Sequence, residues 1–308
     1  MPRWCKMSVL CLLAFSCCAA AARAFELKPR TAQAFQHYEE LTEARIHNEL
    51  SHSEQFLYLD SLPDEQKNAE IARIKSGQVY VRKLTTRDDD KKIEIPDGLA
   101  HHWLAVGFIP NARLDRVIEV AEDFNHHSDF FKPDVQRSTL LNRDGDHFRV
   151  GFRFYRHAIV TAVYNTEFTI DFTQPNPMHE YSFARATRIA EVRDAGEKDE
   201  RELPVGKDHG YLWRLDLYTR YLQADDGVYV QIEFLALSRS VPAVFAWLVN
   251  PYIRSVPRDY LTNYIAKLNK AVNEKPGQSV ASSVSKEQSA ICGIGTPACT
   301  TDVGPAHN

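Results

Sequence analysis

Long strand-like segments follow one another from residue 147 to 238, most of them alternating between apolar and polar side chains, with turns or, at 193–209, a polar loop between them. This constrains the fold more than any other feature of the chain. Residues 147–157 place Phe148, Val150, Phe152 and Phe154 on one side and Arg149, Arg153 and Tyr155 on the other. Residues 160–172 set Ala162, Tyr164, Phe168 and Ile170 against Thr161, Asn165, Glu167 and Asp171, and "TQPNP" is expected to end that strand. Residues 181–192 follow as a third strand, and residues 211–238 as a hairpin around "ADDG". Successive side chains of a strand point to opposite faces, so a period of two means a sheet with one apolar face. Long consecutive strands joined by short turns imply an antiparallel meander.

The hairpin can be placed in register from sequence. A turn at Asp225-Asp226 sets Tyr218 opposite Glu233, Arg220 opposite Gln231 and Arg214 opposite Leu237. One face then carries Trp213, Leu215, Leu217, Tyr221, Val230, Ile232, Phe234 and Ala236. The other carries Arg214, Asp216, Tyr218, Arg220, Gln231, Glu233 and Arg239. Two readings of the charged face stay open. It is a solvated outer face with cross-strand pairs, or a buried polar network that lines a cavity and grips a ligand head group. A one-residue bulge would be enough to exchange the faces.

Helices are expected on both sides of this block. Residues 31–50 hold Ala34, Tyr38, Leu41 and Ile46 at helical spacing, and a second helix runs from Asp64 to Lys75, with Gly77 ending it. Strands at 78–84 and 99–109 lead into an amphipathic helix at 111–124, whose apolar face is Leu114, Val117, Ile118 and Ala121. A last helix, 257–272, starts at Pro257 and shows Leu261, Ile265, Leu268 and Val272 on one side. Between sheet and helix lies "RSVPAVFAWLVNPYIRSVP", in which two RSVP tetrapeptides bracket an uncharged apolar run, Val241 to Val249. It reads as a short buried helix or an apolar connector, or as a lid formed by Phe245, Trp247 and Leu248 that touches membrane or admits ligand. Its nine apolar residues are too few to span a bilayer, which takes about 20.

The ends of the chain suggest export. Arg3 and Lys6 precede an apolar run, and Ala22-Arg23-Ala24 is an A-x-A site, so cleavage before Phe25 is expected. Four of the six cysteines would leave with residues 1–24, and Cys292 and Cys299 could close a loop in a tail, 274–308, expected to be disordered. A periplasmic or secreted protein follows. With a net charge of −4 and no basic block, nucleic acid is not an expected partner. His101-His102 and His126-His127 lack metal-ligand spacing, and "NRDGDHF" lacks a calcium-loop frame, so no metal site is expected. No P-loop and no G-x-S-x-G occurs, and neither a cofactor nor a catalytic set is assigned.

The order of strand, helices, antiparallel strands and one long C-terminal helix resembles the START-like helix-grip superfamily, with its polyketide cyclases and pollen-allergen-type proteins. The resemblance covers residues 77–272 and rests most on "GYLWRLDLYTRYLQADDGVYVQIEFLALSRSVP…VPRDYLTNYIAKL". That ending is similar to exported bacterial members without assigned activity. The helical segment 25–76 is a departure from the common domain. The resemblance implies an α+β fold with a curved sheet around the C-terminal helix and an apolar cavity between them. The cavity set is then Phe152, Phe154, Tyr164, Phe168, Trp213, Leu215, Phe234, Leu261, Ile265 and Leu268. A polar set is Arg214, Tyr218, Arg220, Glu233 and Arg239. Three functions are compatible with it: an exported binder of a hydrophobic small molecule or lipid, a cyclase, aromatase or hydrolase-type enzyme, and an interaction module with a filled interior.

Overall fold

The structure is a computed structural model that describes residues 25–157, 161–240 and 243–274, with backbone alone over 243–257. The expected leader, the cysteine pair and the tail lie outside the described residues.

After the short strand β1 (Phe25–Glu26) come α1 (Pro29–Leu50) and α2 (Asp64–Lys75). Strand β2 (Tyr80–Lys83) is followed by a small charged hairpin, β3 (Arg87–Asp88) and β4 (Lys91–Lys92), then by β5 (Gly98–Pro110). Helices α3 (Leu114–Glu122) and α4 (His127–Phe130) lead into β6 (Val135–Asp144), β7 (His147–His157), β8 (Thr161–Asn176) and β9 (His179–Arg193). Two short strands, β10 (Arg201–Glu202) and β11 (Lys207–Asp208), precede β12 (Arg214–Ala224), β13 (Gly227–Arg239) and α5 (Ala243–Asn273). The main sheet is antiparallel, in the order β2-β5-β13-β12-β9-β8-β7-β6, with β10 on β9. The expected hairpin register is the observed one: Arg214 faces Leu237, Tyr218 faces Glu233 and Arg220 faces Gln231.

One side of the sheet, its inner face, is gripped by α5. Leu261, Ile265, Leu268 and Val272 are buried in the same core as Val150, Phe168, Ile189, Leu215 and Ile232, which come from β7, β8, β9, β12 and β13. Helix α3 closes that core with Leu114, Val117, Ile118 and Ala121. Gly107 on β5 permits the close approach of α5, because a Cβ there would lie 2.5 Å from Ile265 Cγ2. Lys267 and Arg156 clamp the helix to the sheet edge through Asp134, each at 2.6 Å.

The outer face is divided. Over β7 to β9 it is wet and carries exposed pairs such as Arg149–Glu167 at 3.2 Å. Over β5, β12 and β13 it is covered by α1 and α2. Phe35, Tyr38 and Ile46 of α1 join Trp213, Tyr218, Leu235 and Leu237 in one cluster, and Ile74 of α2 joins Leu104, Val106 and Phe108 in another. These strands are buried on both faces, and the molecule has three layers there.

Three expectations are corrected. The buried stripe of α1 is Thr31, Phe35, Tyr38, Thr42 and Ile46, so Ala34 and Leu41 lie beside it rather than in it. Strand β8 runs on to Asn176, and the pairing with β9 slips between Thr173 and Asn176, an irregularity that tolerates Pro175. The last helix begins at Ala243 rather than Pro257, so the apolar connector is helical and both Pro251 and Pro257 lie inside it. Each proline removes one N–H from the ladder, yet the helix continues through both. The side chains of the proposed lid, Phe245, Trp247 and Leu248, lie outside the described residues.

Candidate functional site

Between α5 and the inner face lies a cavity of about 90 Å³. Its walls are mostly rings: Phe124, Phe131, Phe152, Phe154, Phe168, Tyr260 and Tyr264. Phe131 stacks on Tyr264 at 4.7 Å, and Phe154 meets Phe168 edge to face at 6.1 Å. Offset and edge-to-face contacts of this kind hold rings in fixed positions. The polar wall groups belong to Ser182, Thr219, His127, Tyr221, Tyr260 and Tyr264. His127 lies 3.2 Å from Val120 O and 3.1 Å from Ala121 O through Nε2, so that nitrogen carries the proton and donates. Burial pushes the ring down to about 4, which leaves it neutral at pH 7.

Four of the ten expected cavity residues line this space: Phe152, Phe154, Phe168 and Leu261. Tyr164, Leu215, Phe234, Ile265 and Leu268 belong to the same core without lining the cavity. Trp213 is on the other side of the sheet. It precedes the first residue of β12, so the two-residue alternation does not reach back to it. Its ring joins the cluster under α1, and Nε1 donates to Asp208 at 3.2 Å. The wall residues that sequence reasoning missed include His127 and Phe131 around α4, Tyr260 and Tyr264 on α5, and strand residues such as Phe172, Ser182, Thr219 and Tyr221. "HHSDFF" and "YLTNY" concentrate rings at the two helices, and that concentration was the available signal.

The charged face of the hairpin is buried, but not toward the cavity. It lies under α1. Arg220, 2% exposed, donates to Glu49 Oε2 at 2.6 Å and to the Phe56 carbonyl at 2.8 Å. Glu233, 1% exposed, takes His102 Nε2 at 2.6 Å and pairs with Arg45. Its carboxyl is held below the usual range: burial pushes it up, but His102 and Arg45 more than offset that. Tyr38 Oη lies 3.0 Å from His102 Nδ1 and accepts Thr86 N–H at 2.7 Å, so its own proton goes to the ring. Tyr218 Oη donates to Glu43 at 3.0 Å. Asp216 is pushed up to about 9 by burial and then by neighbouring Glu39. Arg185 opposes this from 3.5 Å, but it is half exposed and also held by Glu43, so burial wins.

Neither reading of the charged face therefore holds as stated. It is neither wet nor part of the cavity. It is the docking surface of the N-terminal helices, and Tyr218, Arg220 and Glu233 are joined there by α1. Arg214 and Arg239 stand apart. Arg214 donates to the Trp213 carbonyl at 3.0 Å, and Arg239 lies between the Phe25 and Tyr211 rings, at 4.0 and 5.4 Å from their centroids.

No family model matches the chain, and no curated protein matches it. Solved structures to which the chain is similar include a STAR-related lipid transfer protein from Xanthomonas axonopodis (16% identity, 62% of this chain and 99% of that one, TM-score 0.39). The Zhui aromatase/cyclase from Streptomyces sp. R1128 is another (12%, 56% and 94%, 0.40). Human STARD10 is a third (10%, 76% and 86%, 0.40). The chain's own geometry is a helix-grip arrangement, a meander whose inner face closes on one C-terminal helix, here with a helical layer added outside.

Proposed function

We propose that the protein holds a hydrophobic small molecule or lipid between the inner face and α5, and does not transform it. The observation that carries this is the wall of rings with only neutral polar groups among the described lining residues. Such walls, with a few polar groups to fix orientation, suit apolar ligands. His127 is occupied by two carbonyls and is neutral, so a proton-transfer role for it has little support. Export belongs to the same proposal and is supported by the leader-like residues 1–24.

Size sets a condition. A cavity of about 90 Å³ is roughly three waters' share of liquid volume, and an engineered apolar cavity of about 150 Å³ takes benzene. A lipid would need α5 to swing away from the sheet. The small volume also favours a second reading, an interaction module with a filled interior. Native mass spectrometry of the protein purified from its host, followed by solvent extraction, separates the two. A stoichiometric apolar adduct supports the carrier. A protein that stays empty after incubation with lipids, sterols and quinones supports the filled interior. N-terminal sequencing of exported material should begin at Phe25.

A further inference from the structure

The inner cavity has a polar corner that belongs to the sheet. Ser182 on β9 and Thr219 on β12 stand opposite each other in register, and Tyr221 follows two residues on along β12. All three line the cavity and all three are buried. The Ser182 and Thr219 hydroxyls are within hydrogen-bonding reach of the Tyr221 oxygen. Each hydroxyl carries one proton and two lone pairs. Bonds from Ser182 and Thr219 to Tyr221 would join three hydroxyls with two protons, so one donor is left over. Tyr264, on the α5 side of the cavity, brings a proton of its own, so a bond to it would only pass the surplus on. Glu180 stands opposite Tyr221 on β9, buried but not lining the cavity. It acts on the phenol through its charge, and Glu122 at the end of α3 adds to that charge. No Lys or Arg is among the described lining residues.

We propose that Ser182, Thr219 and Tyr221 are the corner that anchors the inner-face ligand, and that the group they take is a neutral oxygen acceptor, in its simplest form a ketone carbonyl. This rests on the carrier reading above. The surplus proton selects the class, because a buried donor without an acceptor is costly. A hydrocarbon or an ammonium head offers it no lone pair. A carboxylate does, but it would be buried without a cation and beside Glu180 and Glu122, and an unpaired buried charge is the more expensive of the two. A neutral carbonyl accepts the proton and brings no charge. All three hydroxyls stand on strands, so the corner keeps its shape while α5 swings away to admit a ligand larger than the cavity.

The test uses the full chain at neutral pH, a neutral naphthalene fluorophore as apolar probe, and competition by decan-2-one, decanoate and decylammonium. The ketone should displace the probe at concentrations about tenfold below the other two, the factor that one well-placed hydrogen bond supplies. Charged heads are also disfavoured by any apolar cavity, so the decisive readout is how that ratio changes in variants. Tyr221→Phe, which keeps the ring, should lower the ketone's advantage over decylammonium by about threefold. Adding Ser182→Ala and Thr219→Val should lower it further while the probe still binds. Decanoate or decylammonium equal to or better than the ketone in the parent overturns the acceptor assignment alone, provided the probe binds. A ratio that Tyr221→Phe leaves unchanged overturns the assignment of the corner, and it does so whether or not the triple variant folds. A probe that fails to bind the parent overturns the carrier reading and the corner with it.

Discussion

Arg220 is the sharpest test of how the outer helices are held. It is a nearly inaccessible guanidinium with two acceptors, Glu49 Oε2 at 2.6 Å and the Phe56 carbonyl at 2.8 Å. Arg220→Met keeps most of the volume and removes both bonds. A hydrogen bond to a charged group contributes about 1.5–3 kcal/mol, so complete loss of two would cost about 3–6 kcal/mol. The true cost is smaller. Glu49 is about a quarter exposed and keeps Arg45 at 2.7 Å, so it recovers solvation. Methionine also avoids the desolvation that the buried charge suffered. We expect a loss of about 2–4 kcal/mol, or a fall in Tm of roughly 4–16 °C at about 2–4 °C per kcal/mol for a domain of this size. Urea unfolding gives the first quantity and a thermal melt the second. Amide exchange should show the loss concentrated in residues 29–50. Adding Glu49→Leu should recover part of it, because the carboxylate no longer lacks its partner. A single variant within 0.5 kcal/mol of the parent, or a double variant markedly worse than the single, would refute the account of the clamp.

Two further outcomes follow from the same layers. Asp216 keeps its proton in the folded chain up to about pH 9, whereas the unfolded chain releases it in the ordinary carboxylate range. Between those limits unfolding releases a proton, so rising pH erodes stability. The stability of Asp216→Asn relative to the parent should therefore increase from pH 4.5 to 9 in urea titrations, and a constant difference would count against a protonated Asp216. Gly107→Ala would put a methyl group 2.5 Å from Ile265 Cγ2, and overpacking of this kind costs about 1–3 kcal/mol. Amide exchange in residues 258–273 should quicken, and Ile265→Ala in the same chain should restore it. Unchanged exchange in the single variant would mean that α5 is not held by this contact.

The sheet was legible because its signal is local. The "ADDG" turn fixes the hairpin register, and period-two alternation fixes the faces from β7 to β13. What covers each face was not legible. Alternation in β12 and β13 reports two chemically different sides, and Arg220 and Glu233 look the same in sequence whether water or a helix lies above them. The covering helix gave a weak signal because its buried stripe contains Thr31, Thr42 and Tyr38 among fewer aliphatics. Its charged residues Glu43, Arg45 and Glu49 are partners of the sheet. His102 was set aside for want of metal spacing, although its role is to bridge Tyr38 and Glu233. The start of α5 differs for another reason: Pro257 suits the first turn of a helix, yet the helix already runs through the apolar residues on its N-terminal side. The cavity walls were half legible. Ring-rich strands point to an aromatic interior, but which rings border empty space depends on packing.

The clamp over the outer face also sets an order of events during synthesis. Arg45 and Glu233 are 188 positions apart, and Glu49 and Arg220 are 171 apart. Helix α1 is made first, yet Glu233, Arg220 and Tyr218, which Arg45, Glu49 and Glu43 hold, all come from the hairpin made last in the sheet. Until that hairpin exists, Phe35, Tyr38 and Ile46 have no surface to cover and Arg45 has no buried partner. Pairings this distant close late and slowly, so a nascent chain shorter than about 235 residues would hold a loose amphipathic helix beside an unfinished sheet, the kind of exposed apolar surface that invites aggregation or a chaperone. On the export reading proposed above, that delay is an advantage: α1 cannot lock until nearly everything behind it has followed.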